Sequence, residues 1–252
     1  QGYSSAASDV YKRQVAGLAA FVAVKLIYFI VRKLDEKYVE TGFRHGQTIT
    51  ACLVALSHGT NDAQKTMGII TLTLIAVGLQ PSGSGPQLWV VAVCGLAIAL
   101  GTYMGGWRVI RTLGKGLTEI ATPQGFAAEA SSATTILVSS HLGFALSTTQ
   151  VCSGSIIGSG LGKKGGAIDW KVAARMLIAW LVTFPAAGVI GAAACAVAKI
   201  NVWGTLAVAA IAVVAALIIF RLSRRNPVNA MNVNEGSEVK VNAKVATAAA
   251  AA

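Results

Sequence analysis

The chain has 252 residues, of which 54% are hydrophobic and 12% charged, and its formal net charge is +11. Soluble domains carry about 25% charged residues, and the apolar residues here come in long unbroken runs, which excludes a soluble globular domain and, in the absence of short alternating strands, argues against a transmembrane β-barrel. The positive charge does not point to nucleic acid, because most of it falls in short blocks between the apolar runs.

Taken in chain order, residues 1–14 are polar and lack the basic start and apolar stretch of a signal peptide. They read as a non-native or disordered segment, with the native chain joining near Val15. Residues 15–31 are apolar and long enough to cross a bilayer, at about 20 residues per helix. Lys25 interrupts the run, where its long side chain can snorkel. Residues 47–78 are mainly apolar but carry a polar centre, and as one helix they would measure about 48 Å against a hydrocarbon core of about 30 Å. A broken helix, or a helix with a re-entrant piece, is expected there. Residues 88–106, 172–198 and 202–220 read as further spans.

The connections set the orientation. Basic residues gather at Arg32, Lys33, Lys37 and Arg44, at Arg108, Arg111 and Lys115, at Lys163, Lys164, Lys171 and Arg175, and at Arg221, Arg224 and Arg225. The connections at 79–87 and 200–203 are uncharged. Positive loops stay in the cytoplasm. Residues 118–162 lie between two basic blocks, so they are expected to enter and leave on one side. Residues 15–222 thus form an all-α polytopic transmembrane domain in the cell membrane, in contact with the lipid bilayer. Residues 223–252, polar and then alanine-rich, read as a disordered cytoplasmic tail. Cys52, Cys94, Cys152 and Cys195 are scattered among apolar or small residues and read as buried hydrophobes.

Two polar clusters stand out in the two irregular segments. Transporters place irregular backbone at their binding sites, where it lines a cavity. In the first cluster, Asn61 and Asp62 lie inside an apolar segment. Asp62 has two readings: it pairs with Lys65 one turn later, or its carboxylate and the Asn61 amide oxygen help to bind a hard cation or a proton. In the second, Ser147, Thr148 and Thr149 precede a small, helix-compatible stretch. Hydroxyls at a helix N-terminus form either a plain cap or an oxyanion site. Gly154, Gly158, Gly160 and Gly162 suit close helix approach. Glu129 opens the run into this cluster, as an intramembrane acid or a first-turn residue. His58 and His141 read either as proton relays near neutral pH or as hydrogen-bond partners of neighbouring helices, and His45 lies in a charged loop. An anion near a carboxylate is repelled unless a cation or proton lies between them, which is a physical basis for symport.

The stretch SHGTNDAQKTMGII, residues 57–70, resembles the Asn-Asp motif of the inorganic phosphate transporter (PiT) family. Residues 106–149, ending in Ser-Thr-Thr, resemble the family stretch that closes in that triplet. The resemblance runs from about residue 15 to residue 221. It implies a fold of two inverted repeats, each with one Asn-Asp and one Ser-Thr-Thr motif and broken or re-entrant helices, with phosphate held between them. This chain shows one of each motif and so resembles the C-terminal half, with the N-terminal repeat as its missing partner. The resemblance places phosphate at Ser147, Thr148 and Thr149 with Asn61 and Asp62, and implies a homodimer. Ala145, Leu146 and Gln150 stand where the family commonly has Pro, Val and His, so a proton relay after the triplet is not expected.

The expected function is secondary active transport of inorganic phosphate by alternating access. It is coupled to Na⁺ or H⁺ through Asn61, Asp62 and Glu129, without an organic cofactor or a resident metal. A sulfate permease of the same family and an inactive half-transporter are the alternatives. An intramembrane enzyme is not expected, since Ser57 and His58 are adjacent and neither a nucleophile elbow nor a His-Glu-x-x-His motif occurs.

Overall fold

The computed structural model describes residues 2–104, 106–143, 146–224, 228 and 231–233, which form helices linked by short turns, with one isolated bridge between Thr118 and Ile168. The chain divides into two units, one up to Ile168 and one from Asp169.

In the first unit, α1 (Gly2–Val31) runs through residues 2–14, which read from the sequence as non-native or disordered. Its Ala16, Ala20 and Val24 are fully buried and recur every fourth residue, forming one narrow stripe. Val15, Leu18, Val22 and Leu26 on the remaining surface are exposed. α2 (Glu36–Ala76) starts at Asp35, whose carboxylate accepts from the Lys37 backbone N–H. It is closed off at Gly78, where a positive φ lets the Leu79 N–H reach the Leu74 carbonyl and the Gly78 N–H reach Ile75. The uncharged loop that follows is tied by the Gln80 amide, which donates to Ser84 Oγ and to the Gly85 carbonyl. α3 (Leu88–Met104) packs back against α2.

α2 corrects the expectation of a broken helix: it is one continuous helix of 41 residues. Gly59 and Gly68 fall inside it without a break, and no proline interrupts it. Several of its hydroxyls return to its own backbone: Ser57 donates to Val54, Thr60 to Leu56 and Thr73 to Ile69. At about 1.5 Å per residue the helix is about 60 Å long, twice a hydrocarbon core of about 30 Å. Its first turns carry Glu36, Lys37, Glu40 and Arg44, all exposed, and so suit water rather than lipid.

A short helix α4 (Trp107–Arg111) and a π-helical turn (Thr112–Gly116) lead to two helices, α5 (Thr122–His141) and α6 (Thr148–Gly162). Pro123 lies in the first turn of α5, and the Gln124 side chain reaches back to accept from the Ala121 N–H at 2.9 Å. The start of α5 and the end of α6 come together: Thr118 pairs with Ile168, and its hydroxyl donates to the Ala167 carbonyl at 2.7 Å. The α5–α6 segment is therefore a hairpin whose two ends meet. Glycines set how closely α1 packs on α6. A Cβ at Gly158 would overlap the Gly17 carbonyl, and one at Gly162 would meet Phe21 and Val24. The spacing Gly154, Gly158, Gly162 is the small-residue pattern of tightly packed membrane helices. Ile136, Leu146 and Val151 join Ala16 in the core.

In the second unit, α7 (Trp170–Ala198) and α8 (Val202–Ser223) pack on each other. Asp169 caps α7 by accepting from the Lys171 and Val172 N–H groups, and Asn201 caps α8 through Gly204. Residues 14–31, 170–198 and 202–222 are each long and apolar enough to cross a membrane, and Leu88–Tyr103 is a shorter apolar helix. The three long helices match spans read from the sequence, whereas the span expected at 88–106 is the shorter one. The expected tail at 223–252 lies almost wholly outside the described residues.

Candidate functional site

The two polar clusters meet. α2 carries Asn61 and Asp62 on the side that faces the hairpin, and α6 begins with Thr148. Thr148 Oγ1 donates to Asp62 Oδ2 at 3.3 Å across the two helices. His58 Nε2 lies 2.8 Å from the same carboxylate oxygen, one turn earlier on α2. Lys65 Nζ donates to the other oxygen, Oδ1, at 3.0 Å. The Lys65 ammonium also donates to the backbone carbonyl of Leu146, just before the Ser-Thr-Thr triplet. Asp62 is thus paired with Lys65, as the first reading has it, and its carboxylate also faces the hydroxyl cluster.

Asn61 is 3% exposed and its amide donates to Ser140 Oγ at 2.8 Å, near the end of α5. Its carbonyl oxygen Oδ1 is buried and accepts from no donor among the described residues. An amide oxygen left in this way needs a partner, and a hard cation takes oxygen ligands of this kind. At the mouth of α6 the Ser147 side chain makes no capping hydrogen bond. The hydroxyl of the cap residue is thus not used by the helix it precedes. Thr148 is buried, Ser147 half-buried and Thr149 exposed.

Glu129 is placed elsewhere. Its Oε2 accepts from Thr50 Oγ1 at 2.6 Å, also between α5 and α2. Thr50 and Asp62 are about 18 Å apart along α2, so Glu129 belongs to a second polar contact. His141 is exposed at the end of α5. Sequence reasoning missed Thr50, Ser140 and the Leu146 carbonyl. Thr50 and Ser140 are polar residues in apolar runs, which is a visible signal, but their partners lie 79 residues away in the chain. A backbone carbonyl leaves no trace in a sequence.

The phosphate transporter family model matches residues 5–191. A protein of Mycobacterium leprae (strain TN) named "probable low-affinity inorganic phosphate transporter" is 52% identical over 220 residues, covering 86% of this chain and 53% of its own. A protein of the same name from Bacillus subtilis (strain 168) is 39% identical over 181 residues, covering 70% of this chain and 54% of its own. The chain thus spans about half the length of these curated relatives. A solved structure named "The sodium-dependent phosphate transporter" shares the fold, with a TM-score of 0.60, 24% identity, and coverage of 71% of this chain and 62% of that one. With its apolar helices the chain is an integral membrane protein, and it belongs to the phosphate transporter family.

Proposed function

We propose that this chain supplies one half of a phosphate transporter that couples inorganic phosphate to a cation, Na⁺ or H⁺, by alternating access in the cell membrane. The observation that carries the reading is the Asp62–Thr148 contact, which sets the acid of α2 against the hydroxyl cluster of α6. Asp62 and the Asn61 carbonyl oxygen hold the cation. Ser147, Thr148 and Thr149, with the first-turn N–H groups of α6, hold phosphate oxygens. The bound cation offsets the Asp62 charge and admits the anion, so each ligand favours the other. Glu129 forms a second coupling position with Thr50. Residues 15–222 form the transport domain, and the α5–α6 hairpin is its re-entrant element.

An inverted N-terminal repeat would complete the phosphate site, and two copies of the complete transporter would pair as a homodimer. Several supports converge: family membership, the names of the relatives, and the buried unpartnered oxygen of Asn61. The structural neighbour is named as sodium-dependent, which makes Na⁺ the first ion to try.

The test is radiolabelled phosphate uptake by the full-length transporter carrying this sequence, in proteoliposomes, under separate Na⁺ and pH gradients and with excess sulfate present. Uptake that follows one gradient and ignores sulfate supports the proposal. Uptake blocked by sulfate, or indifferent to both gradients, contradicts it.

A further inference from the structure

Lys65 is neither a cation ligand nor a phosphate ligand in the site proposed above. Its ammonium nevertheless bridges two elements that this site must bring together. On one side it holds Asp62 Oδ1 at 3.0 Å. On the other it donates to the Leu146 carbonyl, one residue before Ser147. Leu146 is 2% exposed, so this acceptor is sealed in the core. Lys65 itself is 39% exposed. A lysine that only decorated the surface would leave its ammonium in water, where a lone pair with an acid is worth little. Here the ammonium turns inward, between the acid and the mouth of α6. Three donors on a flexible four-carbon stem allow it to change partners.

The carboxylate is also crowded. Oδ2 takes His58 and Thr148, and Oδ1 takes Lys65. A cation approaching Asp62 with the free Asn61 Oδ1 meets an ammonium already on the acid. The groups that face Asp62 from its own helix are His58 and Lys65, and from α6 Thr148.

We infer that Lys65 is an exchangeable internal cation. It neutralises Asp62 while no coupling ion is bound, and the ion, on taking Asp62 and the Asn61 oxygen, releases the ammonium to the oxyanion at Ser147–Thr149. The inference rests on the symport reading and deepens it, because it states how cation binding creates anion affinity. Cation and Lys65 compete for one carboxylate, and the freed ammonium is the positive charge that phosphate meets. No bond is made or broken; a single charge moves between two neighbouring acceptors.

Competition gives a result that a merely structural role does not. Without the ammonium, the cation no longer displaces a competitor, so it binds more tightly. Phosphate loses its counter-charge, so it binds more weakly. The experiment uses the full-length transporter in detergent and reads thermal stabilisation. It is titrated with sodium chloride, choline chloride holding ionic strength constant, and separately with inorganic phosphate at saturating sodium. In Lys65→Met the half-effective sodium concentration falls, and the half-effective phosphate concentration rises by about threefold or more, the scale of losing a charged partner in a half-exposed site. Lys65→Arg keeps the charge and stays near the wild type in both titrations. Lys65→Gln carries the same test if the Met variant fails to insert.

The exchange is overturned if the two constants stay at wild-type values in Lys65→Met, or if both move in the same direction. It is also overturned if the wild type responds to phosphate and not to sodium. A wild type that responds to neither ligand instead defeats the transport reading itself, so the two failures are distinguishable.

Discussion

Along α7 and α8 no described side chain is buried, and Leu181, Val182, Phe184, Val213 and Leu217 are all more than half exposed. Along α5 and α6 the buried residues are mostly small or polar: Ser131, Ser132, Ser139, Thr148, Ser153, Ser155 and Ser159. The more apolar helix pair thus buries least, and the more polar pair buries most. In water this would be upside down. In a bilayer it follows from the solvent, because lipid tails are as apolar as leucine and give an apolar side chain no reason to be hidden. What must be hidden is polarity. Hydroxyls and amides are drawn inward, where many bond helix backbone carbonyls, as Ser57, Ser153 and Ser159 do. Substitutions that exchange the character of the two regions measure how far this holds.

The largest effect is expected at Asp62. Asp62→Asn removes the charge that receives Thr148, His58 and Lys65. Phosphate uptake by the full-length transporter should fall about a hundredfold or more, the cost of unpairing a charged group in a site. Next is Gly158. A side chain there meets the Gly17 backbone, which cannot move aside as a flexible side chain can. Gly158→Val should cost about 3 kcal/mol through overpacking, read as a lower melting temperature in detergent. Thr50→Val keeps shape but takes the donor from Glu129. It should cost about 1 kcal/mol, the net worth of one hydrogen bond, because Glu129 keeps its side-chain partner Gln47. The smallest effect belongs to α7. Open space surrounds the Cβ position at Gly188 and Gly191. Alanine at either should change stability by at most about 1 kcal/mol, and in the stabilising direction, because glycine costs helix entropy. Were Gly188→Ala as damaging as Gly158→Val, the contrast between the two units would be lost.

The spans were legible in the sequence because apolar runs of bilayer length carry their own address; residues 14–31, 170–198 and 202–222 fall where they were expected. The two polar clusters were legible for the same reason, as the exceptions in those runs. Their meeting was not. Asp62 meets Thr148 because α2 and α6 both pack on α5, and which helices pack together is a property of pairs rather than of a window of residues. The continuity of α2 was misread from its length and polarity alone. Ser57, Thr60 and Thr73 return their hydroxyls to the helix backbone, so polarity there does not require a break. The charged first turns extend the helix past the span. The Asn61–Ser140 and Thr50–Glu129 contacts join residues far apart in sequence, and local patterning carries no record of them.

The acid of α2 and the hydroxyls of α6 are proposed to act as one phosphate site. The most direct measurement is the phosphate-dependent rise in melting temperature of the full-length transporter in detergent, compared for wild type, Thr148→Val and Thr148→Ser. Thr148→Val keeps the shape of the side chain and removes the donor to Asp62 Oδ2. The account predicts that the rise is lost in the valine variant and kept in the serine variant. A valine variant that melts like the wild type and is stabilised by phosphate to the same degree would contradict it.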